Sequence, residues 1–213
     1  MLVTELSEQE IKQLLYNASQ EYLNQGPCPD ADFPADMLSG QPRPAAVLIP
    51  LLVRDGSWHI LYTRRTSNLA EHSGQVAFPG GRADPGDRSL EETALREARE
   101  EIGLDPRDVR ILGRLREFLT ITNYRVTPVV GVIPWPYPFK LSPEEVSQVF
   151  TIPLSWLADP ANYEVKPRPL PSPHGSAAVI YYNAYENEIL WGASARFTHE
   201  LLGILGLVNR RFS

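Results

Sequence analysis

The chain predicts an α/β protein in which helices are layered on a mixed sheet. Short apolar runs bounded by turn residues recur along it, as in Ala45–Val53 (AAVLIPLLV) and Val126–Ile133 (VTPVVGVI); such runs read as strands. Between and around them lie segments with apolar residues three and four apart, the period of an amphipathic helix. Strands mixed with a few helices pack as layers around one sheet. At 213 residues, with 43% hydrophobic and 22% charged, the chain suits one domain with a sizeable core.

In order, Ser7–Leu23 predicts an amphipathic helix whose stripe is Ile11, Leu14, Leu15, Ala18 and Tyr22. The stripe is expected to pack on the domain, the alternative being a homodimer contact. Gly26–Pro44, rich in Pro, Asp and Gly, predicts a connecting loop, so residues 1–44 precede a domain over 45–213. Strands are expected at Ala45–Val53 and His59–Arg64, around a turn at Asp55-Gly56, and at Gln75–Phe78, which runs into Gly80-Gly81. A helix follows at Ser89–Gly103, then strands at Val109–Phe118 and Val126–Ile133. Pro143–Phe150 is expected to start a short helix and Thr151–Leu157 to be partly strand. Lys166–Gly175 reads as a proline-rich hairpin or loop. Val179–Ala184 and Ile189–Trp191 can pair around Glu186-Asn187, and Gly192–Leu207 closes the chain as a helix.

The helix at Ser89–Gly103 (SLEETALREAREEIG) carries the chemistry. Ser89 and Glu92 have capping-box spacing; Gly103 fits a left-handed cap, with Pro106 soon after. Leu95, Ala98 and Ile102 fall on one side, roughly opposite Glu97, Glu100 and Glu101. At ~100° per residue, Glu101 lies about 40° to one side of Glu97 and Glu100 about 60° to the other. Like charges so placed destabilise a helix by roughly 0.2–0.5 kcal/mol per pair. A divalent cation reverses that sign, and magnesium favours carboxylate oxygens. The helix therefore reads as a metal platform, with Arg96 able to pair with Glu100 four residues on. Just upstream, Gly80-Gly81 allows close backbone approach to a ligand.

Taken together, GGRADPGDRSLEETALREAREEIGL (Gly80–Leu104) resembles the Nudix box, G-x5-E-x7-R-E-U-x-E-E-x-G-U with U aliphatic. Gly81, Arg96, Glu97, Glu100, Glu101, Gly103 and Leu104 fall on its fixed positions. Asp87 stands where the first glutamate belongs, with one extra residue before Arg96, and Ala98 is small for a U position. Upstream, LYTRRTSNLAEHSGQVAFPGG (Leu61–Gly81) resembles the signature of the coenzyme A pyrophosphatase branch, L-L-T-x-R-S-x-x-L-R-x-H-x-G-x-V-x-F-P-G-G. Leu61, Thr63, Arg65, Leu69, His72, Gly74, Val76 and Phe78-Pro79-Gly80-Gly81 match; Tyr62, Thr66 and Ala70 differ. Ala70 replaces an arginine, a natural phosphate ligand, for which Arg64 or Arg65 can compensate.

The resemblance implies the Nudix α/β/α sandwich and hydrolysis of the pyrophosphate of coenzyme A or acyl-coenzyme A to 3′,5′-ADP and (acyl-)4′-phosphopantetheine. It implies Mg²⁺ or Mn²⁺ held by Glu97 and Glu101 with Glu100 beside them and the Gly81 carbonyl completing the site. Glu97, Glu100, Glu101, Arg96 and, as a candidate base, Glu145 form the expected catalytic set. Arg64, Arg65, His72, Gly80 and Gly81 are the expected substrate contacts. His174 and the aromatics Trp135, Tyr137 and Phe139 are further candidates, the aromatics being equally suited to a core. Another nucleoside diphosphate derivative (ADP-ribose, NADH, a nucleotide sugar) is the nearer alternative substrate; a noncatalytic nucleotide-binding module is the farther one.

A net charge of −6 argues against nonspecific nucleic-acid binding and leaves Arg64, Arg65, Arg82 and Arg88, with the metal, to attract an anionic small molecule. The single cysteine, Cys28, allows no disulfide within the chain. No apolar run approaches a membrane span, and MLVTELSEQEIKQLL lacks the pattern of a secretory signal, so the cytoplasm is the expected location.

Overall fold

The computed structural model describes residues 6–24, 40–66, 74–170 and 174–209. After helix α1 (Glu8–Asn24), strands β1 (Arg43–Arg54) and β2 (Ser57–Arg65) form a hairpin. Asp55 and Gly56 turn it with φ of 51° and 75°, the left-handed pair that matches strand twist in a tight turn. The two strands pair only near that turn, Leu51–Arg54 against Ser57–Ile60, and then part. Two short strands fill the split: β3 (Val76–Ala77) pairs with β2 at Thr63 and Arg64, and β4 (Gly80–Arg82) pairs with β1 at Ala45–Val47. Between them the Pro79 carbonyl accepts from Leu48 N at 2.9 Å. The glycine pair is thus wedged into the middle of a sheet.

The remaining elements are α2 (Leu90–Ile102), β5 (Arg110–Arg114), β6 (Phe118–Leu119), β7 (Tyr124–Val132), β8 (Val146–Pro153), α3 (Leu154–Leu157), β9 (Tyr163–Pro169), β10 (Ser176–Tyr182) and α4 (Gly192–Ile204). The main sheet runs β3-β2-β1-β7-β5, with β8 on β2 and β6 on β7. β1 and β7 are parallel and the other pairings antiparallel, so the sheet is mixed. Side chains alternate between its faces. Ala46, Leu48, Leu52, Leu61 and Val129 bury one face against Ala94, Ala98 and Ile102 of α2. Ala45, Ile49, Leu51, Ile60, Tyr62 and Val130 bury the other with Ile11 and Leu15 of α1 and Phe197, Leu201 and Leu202 of α4. The result is the expected α/β/α sandwich. Ile11, Leu15 and Ala18 are fully buried within the chain, with Leu14 and Tyr22 partly buried against the same core, so the stripe packs on the domain.

Several expectations are corrected. Pro143–Phe150 does not start a helix: 143–145 form a turn and Val146 opens β8, whose Val146, Phe150 and Ile152 are buried. Val109–Phe118 breaks into β5 and β6, with a register shift between Ile111 and Gly113. Val179–Tyr182 pairs chiefly with β9, which the proline content had obscured. Glu186 and Asn187 do turn the chain, at φ of 49° and 70°, and isolated bridges join Tyr185 to Glu188 and Tyr181 to Trp191. Cys28, Leu69, Ala70 and His72 lie outside the described residues. Among the described residues no helix is long and apolar enough to cross a membrane.

Candidate active site

Helix α2 starts where expected: the Ser89 hydroxyl accepts from Glu92 N at 3.2 Å. The reciprocal half of a capping box is absent, because the Glu92 carboxylate accepts from Arg88 N at 2.7 Å instead. Gly103 ends the helix at φ 68°, and its N–H donates to the Arg99 carbonyl at 3.0 Å, the bond of an αL cap. The inward face is rotated from the predicted one. Thr93, Ala94, Ala98, Glu101 and Ile102 are buried while Leu95 is only half-buried. Glu101 and, in part, Glu97 therefore turn into the protein, toward the glycines, while Glu100 stays exposed.

Glu101 is 2% exposed. Its carboxylate accepts from Gly80 N at 3.3 Å and lies 3.7 Å from the Arg65 guanidinium. Burial pushes its pKa up to about 8, the Glu145 and Glu97 carboxylates adding to the rise while Arg65 and the Gly80 N–H oppose it. Glu97 is also raised, first by burial and then by Glu100 and Glu145, against the pull of Arg96. Glu145 reaches this group from a loop tied to the end of α2. Ser142 N donates to the Glu101 carbonyl at 2.8 Å, Lys140 N to Ile102, and Thr66 N to the Glu145 carbonyl at 3.0 Å. Glu97, Glu101 and Glu145 thus come within electrostatic reach of one another.

Arg96 organises the other side. Its guanidinium contacts Asp87 at 3.1 Å, Glu97 at 2.9 Å and Glu100 at 3.0 Å, and donates to the Arg82 carbonyl at 3.0 Å. Asp87 also accepts from Asp84 N and from the buried Thr93 hydroxyl, at 2.9 and 2.8 Å. Arg96 foremost holds the Asp87 carboxyl down at about 2. So the loop acid, despite its shorter side chain and extra residue, locks the glycine loop to the helix through Arg96.

The strand period separates two arginines that the sequence left equivalent. Arg65 leaves β2 toward α2 and Glu101, whereas Arg64 leaves the opposite face and pairs with the buried Glu188 at 2.6 Å. Of the other candidates, Tyr137 and Phe139 pack with ring centroids 5.1 Å apart, and Tyr137 binds Asp108 through its hydroxyl. With Trp135 they line the α2-side core. His174 lies between β9 and β10, in a separate two-stranded sheet. Missed in the sequence were Asp87 as an anchor, Thr93 beneath it and the Arg82 carbonyl; a hydroxyl buried on the helix face toward Asp87 was the available signal.

Both glycines are sterically required, for different reasons. A Cβ on Gly80 would lie 2.5 Å from the Ala46 carbonyl oxygen and 2.6 Å from Val47 Cα; one on Gly81 would lie 2.6–2.7 Å from the Glu97 carboxylate atoms. Gly80→Ala is expected to destabilise the fold by roughly 1–3 kcal/mol, read as a lower thermal midpoint. Gly81→Ala is expected to keep most of the stability but displace Glu97 and lower kcat/KM by about 10²-fold. Equal midpoints for the two variants would contradict this distinction.

Among the described residues no group of three or more His, Cys, Asp and Glu side chains is arranged to hold a metal ion by itself. The donors present still fit a hard cation: crowded carboxylates, and a backbone at Gly81 that approaches Glu97 only because it lacks a Cβ. Magnesium sites commonly use one or two carboxylates and take the rest of the shell from water and substrate phosphates.

A glycine loop locked through Arg96 and Asp87 to an acidic helix thus crowds carboxylates beside a close backbone approach. The NUDIX domain family model matches residues 42–180. A relative named "Uncharacterized Nudix hydrolase NudL" from Photorhabdus laumondii is 38% identical over 79% of this chain and 88% of its own. One of the same name from Yersinia pestis is 42% identical over 75% and 78%. Among solved structures, the Nudix hydrolase RenU of M. smegmatis aligns with a TM-score of 0.47 and 20% identity over 57% of this chain and 76% of that one. The chain belongs to the Nudix family. It is a Nudix pyrophosphohydrolase, a class that acts on nucleoside diphosphate derivatives and in general uses divalent metals.

Proposed function

We propose that the protein hydrolyses the pyrophosphate bond of coenzyme A or acyl-coenzyme A, using Mg²⁺ or Mn²⁺. Water adds to one phosphorus and the bridging P–O bond breaks, giving 3′,5′-ADP and (acyl-)4′-phosphopantetheine. The observation that carries the substrate is the Leu61–Gly81 signature, which contributes Arg65 and Gly80 directly to the acid cluster. Glu97 and Glu101 hold the metal, with Glu100 beside them and the Gly81 carbonyl as a further donor. Bound there, the metal supplies charge neutralisation of the diphosphate and a lowered pKa for water.

The chain's own groups have distinct tasks in this reading. Arg96 fixes the rotamers of Glu97 and Glu100, and Asp87 fixes Arg96. Arg65 sits where it can pass from Glu101 to a phosphate oxygen. Glu145 takes the proton of the attacking water, which suits an acid held beside Glu97 and Glu101 on a separate loop. The test is direct comparison of kcat/KM for coenzyme A, acetyl-coenzyme A, ADP-ribose and NADH; a clear preference for either of the last two would reassign the substrate while leaving the metal site intact.

A further inference from the structure

We propose that Thr66 is a positioning residue for the reaction: through its hydroxyl and its N–H it sets the turn that carries Glu145 beside Glu97 and Glu101. The role of Glu145, as the group that takes the proton of the attacking water, rests on the reading above. The clamp itself rests on hydrogen bonds and strand register, and it is independent of which nucleoside diphosphate derivative is cut. Thr66 follows the last residue of β2 and is 8% exposed. Its Oγ1 donates to the Glu144 carbonyl at 2.9 Å and its N–H to the Glu145 carbonyl at 3.0 Å. Its own carbonyl accepts from Gly74 N at 3.3 Å, so each of its polar groups is used. Serine stands at this position in the signature that Leu61–Gly81 resembles, and threonine keeps the same donor.

Register explains why this turn needs a clamp. β2 pairs with β8 residue for residue from His59–Pro153 to Arg64–Gln148, but the next pair is Arg65–Val146. Ser147 is therefore an extra residue, a bulge, and a bulge interrupts the ladder and re-aims the side chains beside it. Here it sets Val146 in the α2-side core, on the same face as Arg65. With Ser147 opposite Arg65 instead, alternation would send Val146 to the other face. Residues 143–145 form a turn ahead of β8, so the ladder does not hold them. On one side the turn is tied to α2: Ser142 N donates to the Glu101 carbonyl at 2.8 Å, and the Ser142 carbonyl accepts from Glu145 N and Val146 N at 3.1 and 2.9 Å. Thr66 ties it on the other side, to β2, next to Arg65. Glu145 is thus held between the helix that carries Glu97 and Glu101 and the strand that carries Arg65. The three carboxylates repel one another, and an unheld turn would relieve that repulsion by carrying Glu145 away from the other two.

The experiment is steady-state kinetics of the full chain with Mg²⁺, on whichever of coenzyme A, acetyl-coenzyme A, ADP-ribose and NADH the wild type cuts fastest, beside calorimetric titration with Mn²⁺. Thr66→Val, close in shape but without the donor, should lower kcat about tenfold or more and leave KM within about twofold. Thr66→Ala, which adds no bulk, should show the same loss, and Thr66→Ser should stay within about threefold of wild type. In a Glu145→Gln background the valine should change kcat by less than about twofold, because it acts through Glu145. Mn²⁺ affinity of Thr66→Val should stay within about twofold of wild type, since Glu97 and Glu101 lie on a separate element. An undiminished kcat in Thr66→Val and Thr66→Ala, or Mn²⁺ binding that weakens in step with kcat, overturns the proposal. The cycle separates its failure from that of the reading beneath it. A slow Glu145→Gln enzyme in which the valine still exacts its full loss keeps the base and rejects the clamp; a Glu145→Gln enzyme as fast as wild type rejects the base and the clamp together.

Discussion

Glu101→Gln should lose turnover by on the order of 10³-fold without loss of folded stability. The residue is 2% exposed, and its pKa is pushed up to about 8, first by burial. A folded pKa above the unfolded value near 4.5 means that the native state holds a proton the unfolded chain has released. The associated stability is complete below about pH 4.5 and is lost as pH rises through about 8. Metal-free wild type should therefore weaken across that window, by an amount on the order of a few kcal/mol. Gln at this position keeps an acceptor for Gly80 N–H and has no proton to lose. Metal-free Glu101→Gln should match wild type near pH 5 and exceed it at pH 9. Added Mg²⁺ should raise the melting point of wild type at pH 8 and leave the variant nearly unmoved. A variant that melts well below wild type at every pH would make Glu101 a structural residue.

Arg96→Ala should cause the largest loss of stability among the site variants, roughly 2–4 kcal/mol. The Asp87 side chain is 7% exposed and Arg96 is its principal partner, with Glu97 and Glu100 on the same guanidinium. Removing the cation leaves these acids to repel one another. Arg96→Lys should recover little, since one ammonium cannot reach four acceptors in a plane. The double variant Asp87→Ala/Arg96→Ala should lose less than the sum of the singles, because the orphaned acid is removed with its partner. pH adds a separate check. Asp87 is held down at about 2, so its contribution is present above the unfolded value near 3.8 and lost as pH falls through about 2. Chemical denaturation between pH 4 and 2 should show a steeper loss in wild type than in Arg96→Ala; parallel curves would show that the clamp does not stabilise the fold.

The acid helix was legible because its signals are local: a serine cap, a glycine stop and charges at helical spacing within one segment. The Arg96–Glu100 pair was legible for the same reason. What escaped was set by packing between distant segments. The burial of Glu101 follows from how α2 lies across β4 and β1, which no helical wheel of Ser89–Gly103 contains. Asp87 looked like a defective box position because its value depends on a turn that folds 84–87 back onto Arg96 and Thr93. The split between β1 and β2 that admits the glycines is likewise a register fact. By contrast, the different fates of Arg64 and Arg65 follow from two-residue alternation along β2 and were open to simple reasoning. Pro143–Phe150 misled because Pro-Glu-Glu resembles a helix start, while what makes the segment a strand is its pairing along β2, a partner distant in sequence.

The most direct test of the central claim is mass spectrometry of products after incubating the protein with coenzyme A and Mg²⁺ or Mn²⁺, beside a Glu97→Gln control and parallel ADP-ribose and NADH reactions. Formation of 3′,5′-ADP and 4′-phosphopantetheine by wild type only, and faster than cleavage of the other two substrates, is the predicted result. Cleavage of ADP-ribose or NADH with coenzyme A left intact would contradict the substrate assignment, and equal activity in Glu97→Gln would contradict the role of the acid cluster.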